Sequence, residues 1–349
     1  MASLYRHVIR PVLFQFNPEK IHNFTFLMLK TMTGLRLPLW VMERLCSAND
    51  PEKRAQLWDL EFPNPIGVAA GMDKDGEVIE AMFAMGFGFT ELGTVTPVAQ
   101  PGNPKPRLFR YPDTHAIVNR MGFNNAGVEA LRDKVAAYRQ RHPRKGVIGI
   151  NIGKQKTTPL ETATEDYIRG FETVADLADY VAVNISSPNT QDLRKLQERE
   201  PLEALLSALH DLNQKRIDSG KRRVPTLLKI APDLETGQIE TIVQLVVEKG
   251  WDGIIATNTT IDRTGENARY ESPGGLSGKP LRERSTEVIR TISKLTSGKL
   301  PIIGVGGIES GSDAQEKLDA GASLVQVYSG FIYEGPGMAR KMMREMRSK

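Results

Sequence analysis

Tyr180-Val-Ala-Val-Asn184-Ile-Ser-Ser187-Pro-Asn189-Thr190 opens as a β-branched apolar run and stops abruptly in serines, a proline and asparagines. Such a run marks a strand buried on both faces, as in parallel sheets. The polar end carries hydroxyls and amides but no charge, so it can grip a small polar ligand and offers an oxygen able to move a proton. The unit recurs along the chain. Apolar runs at 66–70, 89–95, 147–152, 180–185, 226–230, 253–257, 301–305 and 324–328 alternate with amphipathic stretches at 77–85, 127–139, 202–216, 236–248, 285–295 and 312–320, and a last helix is expected at 338–347. Strand then helix, repeated, forces parallel strands joined by right-handed crossovers. Eight such units close most economically into an α/β fold, the (β/α)8 TIM barrel; a doubly wound open sheet is the rival. Residues 53–63 are expected to form a small hairpin closing the barrel floor.

The bulk numbers fit this. Of 349 residues, 40% are hydrophobic and 25% charged, the balance of a soluble globular protein. No run of eighteen apolar residues suggests a membrane span, and the start lacks the layout of a signal peptide. The single cysteine, Cys46, rules out an internal disulfide and fits a reducing compartment. The five histidines are scattered, so no metal site is expected. The net charge of +4 is local: residues 1–45 carry six basic side chains against Glu19 and Glu43, and the rest is neutral. That argues against a basic body wrapping nucleic acid.

Residues 1–45 are read as a separate two-helix extension, 3–14 and 18–31, with Asn17 as N-cap and Pro18 at the first helical position; residues 46–349 form the barrel. Ile21, Phe24, Phe26, Leu27, Met28, Leu29 and Met32 cover much of the second helix. A helix apolar on more than one face needs two partners, here the barrel and either lipid or a second packed element such as a dimer interface. The local positive charge favours an anionic membrane surface.

In a barrel of this kind the active site collects at the carboxyl ends of the strands. Those ends read Ala70-Gly71-Met72-Asp73-Lys74, Gly93-Thr94, Asn151-Ile152, Asn184 to Thr190, Lys229-Ile230, Thr257-Asn258-Thr259, Gly306-Gly307 and Tyr328-Ser329-Gly330. Any one is explained by turn preference; lysines and amides recurring at one rim are not. Gly306 and Gly307 let backbone N–H groups approach an anion closely, and the loops after strands seven and eight are the recurrent phosphate site of these barrels, so a phosphorylated ligand is expected. Lys74 and Lys229 are either Schiff-base nucleophiles, which would make the chain a barrel lyase or aldolase working through Lys229, or cations that stabilise a developing anion such as a reduced flavin. Asn119, Asn184, Asn189 and Asn258 suit a planar uncharged heterocycle and favour the second.

Ala70-Gly71-Met72-Asp73-Lys74-Asp75-Gly76, Asn119-Arg120-Met121-Gly122-Phe123-Asn124-Asn125, Asn184-Ile185-Ser186-Ser187-Pro188-Asn189-Thr190 and Gly274-Gly275-Leu276-Ser277-Gly278 closely resemble the dihydroorotate dehydrogenase family, in its quinone-dependent, membrane-associated class. The resemblance covers the whole chain. It implies one FMN per chain, oxidation of dihydroorotate to orotate in pyrimidine biosynthesis, and reoxidation by a ubiquinone-like quinone. It implies Ser187 as the base taking the C5 proton. Substrate contacts would come from Lys74, Asn119, Arg120, Met121, Gly122, Phe123, Asn184, Asn189, Asn258 and Thr259. Flavin contacts would come from Ala70, Gly71, Met72, Asp73, Lys74, Thr94, Asn151, Asn184, Lys229, Thr257, Gly278, Gly307, Tyr328 and Ser329. His22, Arg110 and Tyr328 match positions beside the quinone tunnel. A monomer on the cytoplasmic face of the cell membrane is the expected setting, held there by the N-terminal helices. The soluble class of the family uses a cysteine base, whereas Cys46 lies outside the barrel units. One departure stands in the loop after Ser187: many relatives continue after Thr190 with Pro-Gly, and this chain has Gln191-Asp192.

Overall fold

The computed structural model describes residues 2–143 and 146–347; the outer ends of the two expected segments, residues 1, 348 and 349, lie outside it. All eight expected barrel strands form: Ile66–Val68, Phe89–Val95, Val147–Ile152, Tyr180–Asn184, Thr226–Ile230, Gly253–Ala256, Ile302–Val305 and Leu324–Val327. They are parallel and closed, the eighth pairing with the first through Val325↔Ile66. A helix follows each strand. Seven fall within a few residues of the amphipathic stretches read from sequence; the eighth, Ala163–Val174, follows the third strand and was not expected.

The hairpin at the floor is present, Ala55–Leu57 against Leu60–Phe62. Its two-residue turn, Trp58-Asp59, takes positive φ at both positions (54° and 60°), the turn whose twist matches paired strands. Phe62 stacks edge-on against Phe89 at 5.4 Å, and Trp58 Nε1 donates to the Asp252 carbonyl at 2.9 Å. The hairpin thereby plugs the amino end of the barrel and leaves the carboxyl end open. A small antiparallel sheet covers that end: Leu108–Tyr111, Ala116–Asn119 and Gly275–Gly278. Asn119 therefore belongs to this cover and not to a barrel strand.

The extension has three helical pieces where the sequence suggested two. Residues 2–13 are helical, but Tyr5–Ile9 is a wider turn in which Arg10 N–H reaches back to Tyr5 O. Pro11 is the physical reason, because its ring cannot sit beneath a regular helical carbonyl. Pro18–Thr33 follows, with Asn17 Oδ1 accepting from the N–H groups of Glu19 and Lys20 at 3.1 Å, as read from the sequence. The third helix, Arg36–Cys46, carries Pro38 in its first turn, where a missing N–H costs nothing. Phe26, Leu29 and Met42 pack on a methionine-rich cluster beside the barrel. Among the described residues, thirteen of the eighteen large apolar side chains left exposed lie within residues 4–45, among them Phe24, Leu27, Met28, Leu37 and Trp40. Among the described residues no helix is long and apolar enough to cross a membrane.

Candidate active site

The open end of the barrel holds a cavity of about 960 Å³, counting the solvent-open space at its mouth. Of the twenty-three residues assigned above to catalysis, substrate or flavin, nineteen line it. Met72, Asp73, Arg120 and Asn151 do not. Asp73 turns its carboxylate onto the N–H groups of Glu77 and Val78, and burial pushes it up to about 6. Arg120 donates to the Pro106 carbonyl on the outer side of the rim. Asn151 lies beneath the cavity, accepting from Thr94 Oγ1 at 2.5 Å and donating to Glu91 at 2.8 Å. Met72 faces the helix 18–33 side.

The amides form one hydrogen-bonded set. Asn184 Nδ2 donates to Thr94 Oγ1 at 2.9 Å, and Asn184 Oδ1 accepts from Ser186 Oγ at 2.9 Å. Asn258 Nδ2 donates to the same Ser186 Oγ at 3.0 Å, while Asn258 Oδ1 accepts from the Thr259 N–H at 2.8 Å. Asn189 reaches across to the Asn119 carbonyl at 3.2 Å. Side chains already bound to one another keep their orientation when a ligand arrives, so little ordering is left to be done at binding. Ser187 sits among them, 6% exposed, its Oγ accepting from the Asn189 N–H at 3.2 Å.

Beneath lies a charged network that the strand pattern concealed. Glu91, fully buried in the second strand, accepts from Asn151, Gln326 Nε2 (2.8 Å) and Tyr180 OH (3.1 Å), and pairs with Lys229 Nζ at 3.3 Å. Lys229 is thus held as an ion-pair partner, which speaks against a free amine poised for Schiff-base chemistry. A glutamate in the middle of an apolar run was the available signal, since such a group is buried only with partners. Gln326 Oε1 is buried with no partner among the described residues, and Gln326 lines the cavity.

The opposite end of the cavity is built from Gly278, Gly306 and Gly307, all with positive φ (94°, 124° and 69°). A Cβ on Gly307 would lie 2.5 Å from Arg282 Cβ, so only glycine fits there. Ser277 and Ser329 face each other at 2.9 Å beside them. Bare backbone and two hydroxyls make a cradle for a compact anion.

A second cavity, about 970 Å³ counting the solvent-open space, lies between the helix 18–33 and the barrel, with His22, Phe26, Leu27, Met72 and Asn124 among its lining. Gly71, Lys74, Met121 and Tyr328 line both cavities and form the wall between them. Burial pushes Lys74 down to about 8 and His22 down to about 4; Lys74 Nζ donates to Asn124 Oδ1. Of the three expected tunnel residues, His22 and Tyr328 line this cavity. Arg110 instead donates to the Phe14 and Phe16 carbonyls and lies over the Phe14 ring at 4.2 Å, anchoring the extension. Glu19, bound to Arg107 at 2.8 Å, and Lys30, bound to Glu77 at 2.5 Å, are further anchors.

The family model for dihydroorotate dehydrogenase matches residues 53–349. The chain is 52% identical over 340 residues to the dihydroorotate dehydrogenase (quinone) of Chromobacterium violaceum, covering 97% of this chain and 96% of that protein. It is 50% identical over 348 residues to that of Ralstonia nicotianae, covering 99% of each. The crystal structure of the Eimeria tenella enzyme in complex with ferulenol superposes with a TM-score of 0.83 at 36% identity, covering 96% of this chain and 93% of that one. With a closed eightfold barrel, an amide-lined mouth and this likeness along its whole length, the chain belongs to the dihydroorotate dehydrogenase family.

Proposed function

We propose that the chain oxidises dihydroorotate to orotate in pyrimidine biosynthesis, with one FMN per chain in the barrel mouth and a ubiquinone-like quinone in the second cavity. The observation that carries this reading is the wall of Gly71, Lys74, Met121 and Tyr328, which puts two separate cavities back to back across one layer of side chains. The residues fit the cofactor: a glycine and serine cradle suits its phosphate, and the orphaned Gln326 Oε1 and the Lys229 ammonium suit the polar edge of its ring. Bound FMN would supply a two-electron acceptor for the substrate and a donor for the quinone.

The protein's part is to bind, orient and deprotonate. Asn119, Asn184, Asn189 and Asn258 offer paired donors and acceptors to a flat pyrimidine, with Lys74 at its side. Ser187 is read as the base for the C5 proton. A hydroxyl is a poor base in water, so the site must be dry and its proton must have somewhere to go. The burial of Ser187 meets the first need; Thr190 Oγ1, buried and without a partner among the described residues, is suited to the second. The exposed apolar faces of residues 4–45, with their basic excess, support docking on the cytoplasmic face of the cell membrane as a peripheral monomer. Residues 1–45 would then be the membrane and quinone segment and 46–349 the flavin barrel.

The test is Ser187→Ala in anaerobic stopped-flow. Flavin reduction by dihydroorotate should slow by about 10²–10⁴-fold, the usual worth of a positioned base, with FMN still bound. Reduction at the native rate would remove Ser187 from this role.

A further inference from the structure

Arg194 stands outside the cavity yet touches three of the segments that build it. Its Nε donates to the Ser186 carbonyl at 3.0 Å, one guanidinium nitrogen to Asp233 Oδ2 at 2.7 Å, and the other to the Thr259 carbonyl at 3.0 Å. Asp233 in turn accepts from Thr260 Oγ1 and from the Ile261 N–H at 3.1 Å. The carboxyl ends of strands four, five and six are thereby joined through one side chain. The Ser186 carbonyl belongs to the peptide plane that leads into Ser187, so holding it fixes the backbone from which the Ser187 side chain projects. The Thr259 carbonyl fixes the plane that follows a substrate-facing residue. Leu193 and Leu196, on either side of Arg194, are buried in the core and hold the segment in place. A planar fork satisfies three acceptors at fixed angles, which the single ammonium of lysine does not.

We propose that Arg194 is a positioning residue for proton abstraction: it locks the Ser186–Ser187 peptide and Thr259 into one register, so that base and substrate meet. This rests on the reading of Ser187 as the base. The Asp233 carboxylate holds the fork in place, and its bonds to Thr260 and Ile261 carry the same register into the sixth strand end.

The experiment compares Arg194→Ala, Arg194→Lys and Ser187→Ala in the full-length flavoprotein, following flavin reduction by saturating dihydroorotate and, separately, reoxidation by quinone. Misplacing a reacting group by about 1 Å costs on the order of 10²-fold, so Arg194→Ala should lose about that in reduction, with reoxidation and FMN content unchanged and Arg194→Lys intermediate. Millimolar guanidinium should restore part of the lost rate in Arg194→Ala and none in Ser187→Ala. Native reduction in Arg194→Ala, an equal loss in both half-reactions, or a loss that guanidinium leaves untouched overturns the proposal. If Ser187→Ala itself reduces flavin normally, the base assignment fails, which is a separate result. Should Arg194→Ala not fold, Asp233→Asn replaces it, with a smaller loss confined to reduction expected and a native rate counting against the proposal.

Discussion

Replacing Glu91 by Gln keeps the shape of the side chain and removes the carboxylate that faces Lys229 at 3.3 Å. Both groups are buried, at 0% and 6% side-chain exposure, so solvent offers the ammonium little compensation. The neutral partners can adapt. Gln326 can turn its amide so that its unpartnered Oε1 accepts from the new one, and Tyr180 can rotate its hydroxyl. Lys229 cannot adapt, and a buried ion left without its partner costs about 3–5 kcal/mol. For 349 residues the unfolding entropy at the midpoint is about 0.7 kcal/mol/K. The midpoint should therefore fall by about 4–7 °C. In the double variant Glu91→Gln with Lys229→Met no charge is stranded, and most of the loss should return, since apolar replacement of a buried pair is often neutral. The assay is calorimetry of all four proteins at saturating FMN and one pH, read as a double-mutant cycle. Additive single losses, or a Glu91→Gln midpoint within 1 °C of native (about 0.7 kcal/mol), would refute the reasoning.

Lys74, held near 8 by burial, should give flavin reduction a falling limb above pH 8; the cation is nearly complete at pH 7 and down to about a tenth at pH 9. A rate flat from pH 7 to 10 counts against a role for the charge. His22, pushed down to about 4, stays neutral through the physiological range, so quinone reoxidation should show no step near pH 6.5 that disappears in His22→Phe. Asp192 sits at φ 57°, in the left-handed region, so Asp192→Gly should be neutral to about 1 kcal/mol stabilising while Asp192→Val should cost about 1–2 kcal/mol in thermal unfolding. Leu37 and Trp40 are 70% and 53% exposed; replacing both by Glu should abolish sedimentation with anionic vesicles and leave flavin reduction unchanged, and persistent binding would displace the docking face from that helix.

The barrel was legible because a strand buried on both faces must be apolar throughout, and eight such runs with polar ends admit few arrangements. The strand ends themselves followed from position, since the carboxyl rim of a barrel faces its mouth, whereas the roles given to their residues, and the stretch from Asn119 to Phe123, came with the resemblance to the family. What escaped was built by distant partners. The cover over the mouth pairs residues 116–119 with 275–278, and nothing local to either segment announces the other. Arg194 reads as a loop cation until its three carbonyl and carboxylate acceptors converge in space. The helix Arg36–Cys46 begins beside a glycine and contains a proline, so its start resembles a turn. Asp73 lies in a motif of the family and Asn151 at the end of a barrel strand, yet their side chains satisfy backbone and network needs one layer away from the cavity.

The partition made by Gly71, Lys74, Met121 and Tyr328 has a consequence for how this chain can change over generations. A Cβ on Gly71 would meet the Tyr328 ring at 3.3 Å, and φ there is 99°, so that position has almost no latitude. On the helix 18–33, by contrast, Phe26 and Leu27 line the outer chamber alone. A substitution selected to exclude an inhibitor from the outer chamber is tolerable there, because nothing on the substrate side feels it. The same substitution in the partition alters both chambers at once, and resistance gained on one side is lost as turnover on the other. An inhibitor that reaches down to Tyr328 and Lys74 therefore leaves the enzyme fewer escapes than one resting on the helices alone.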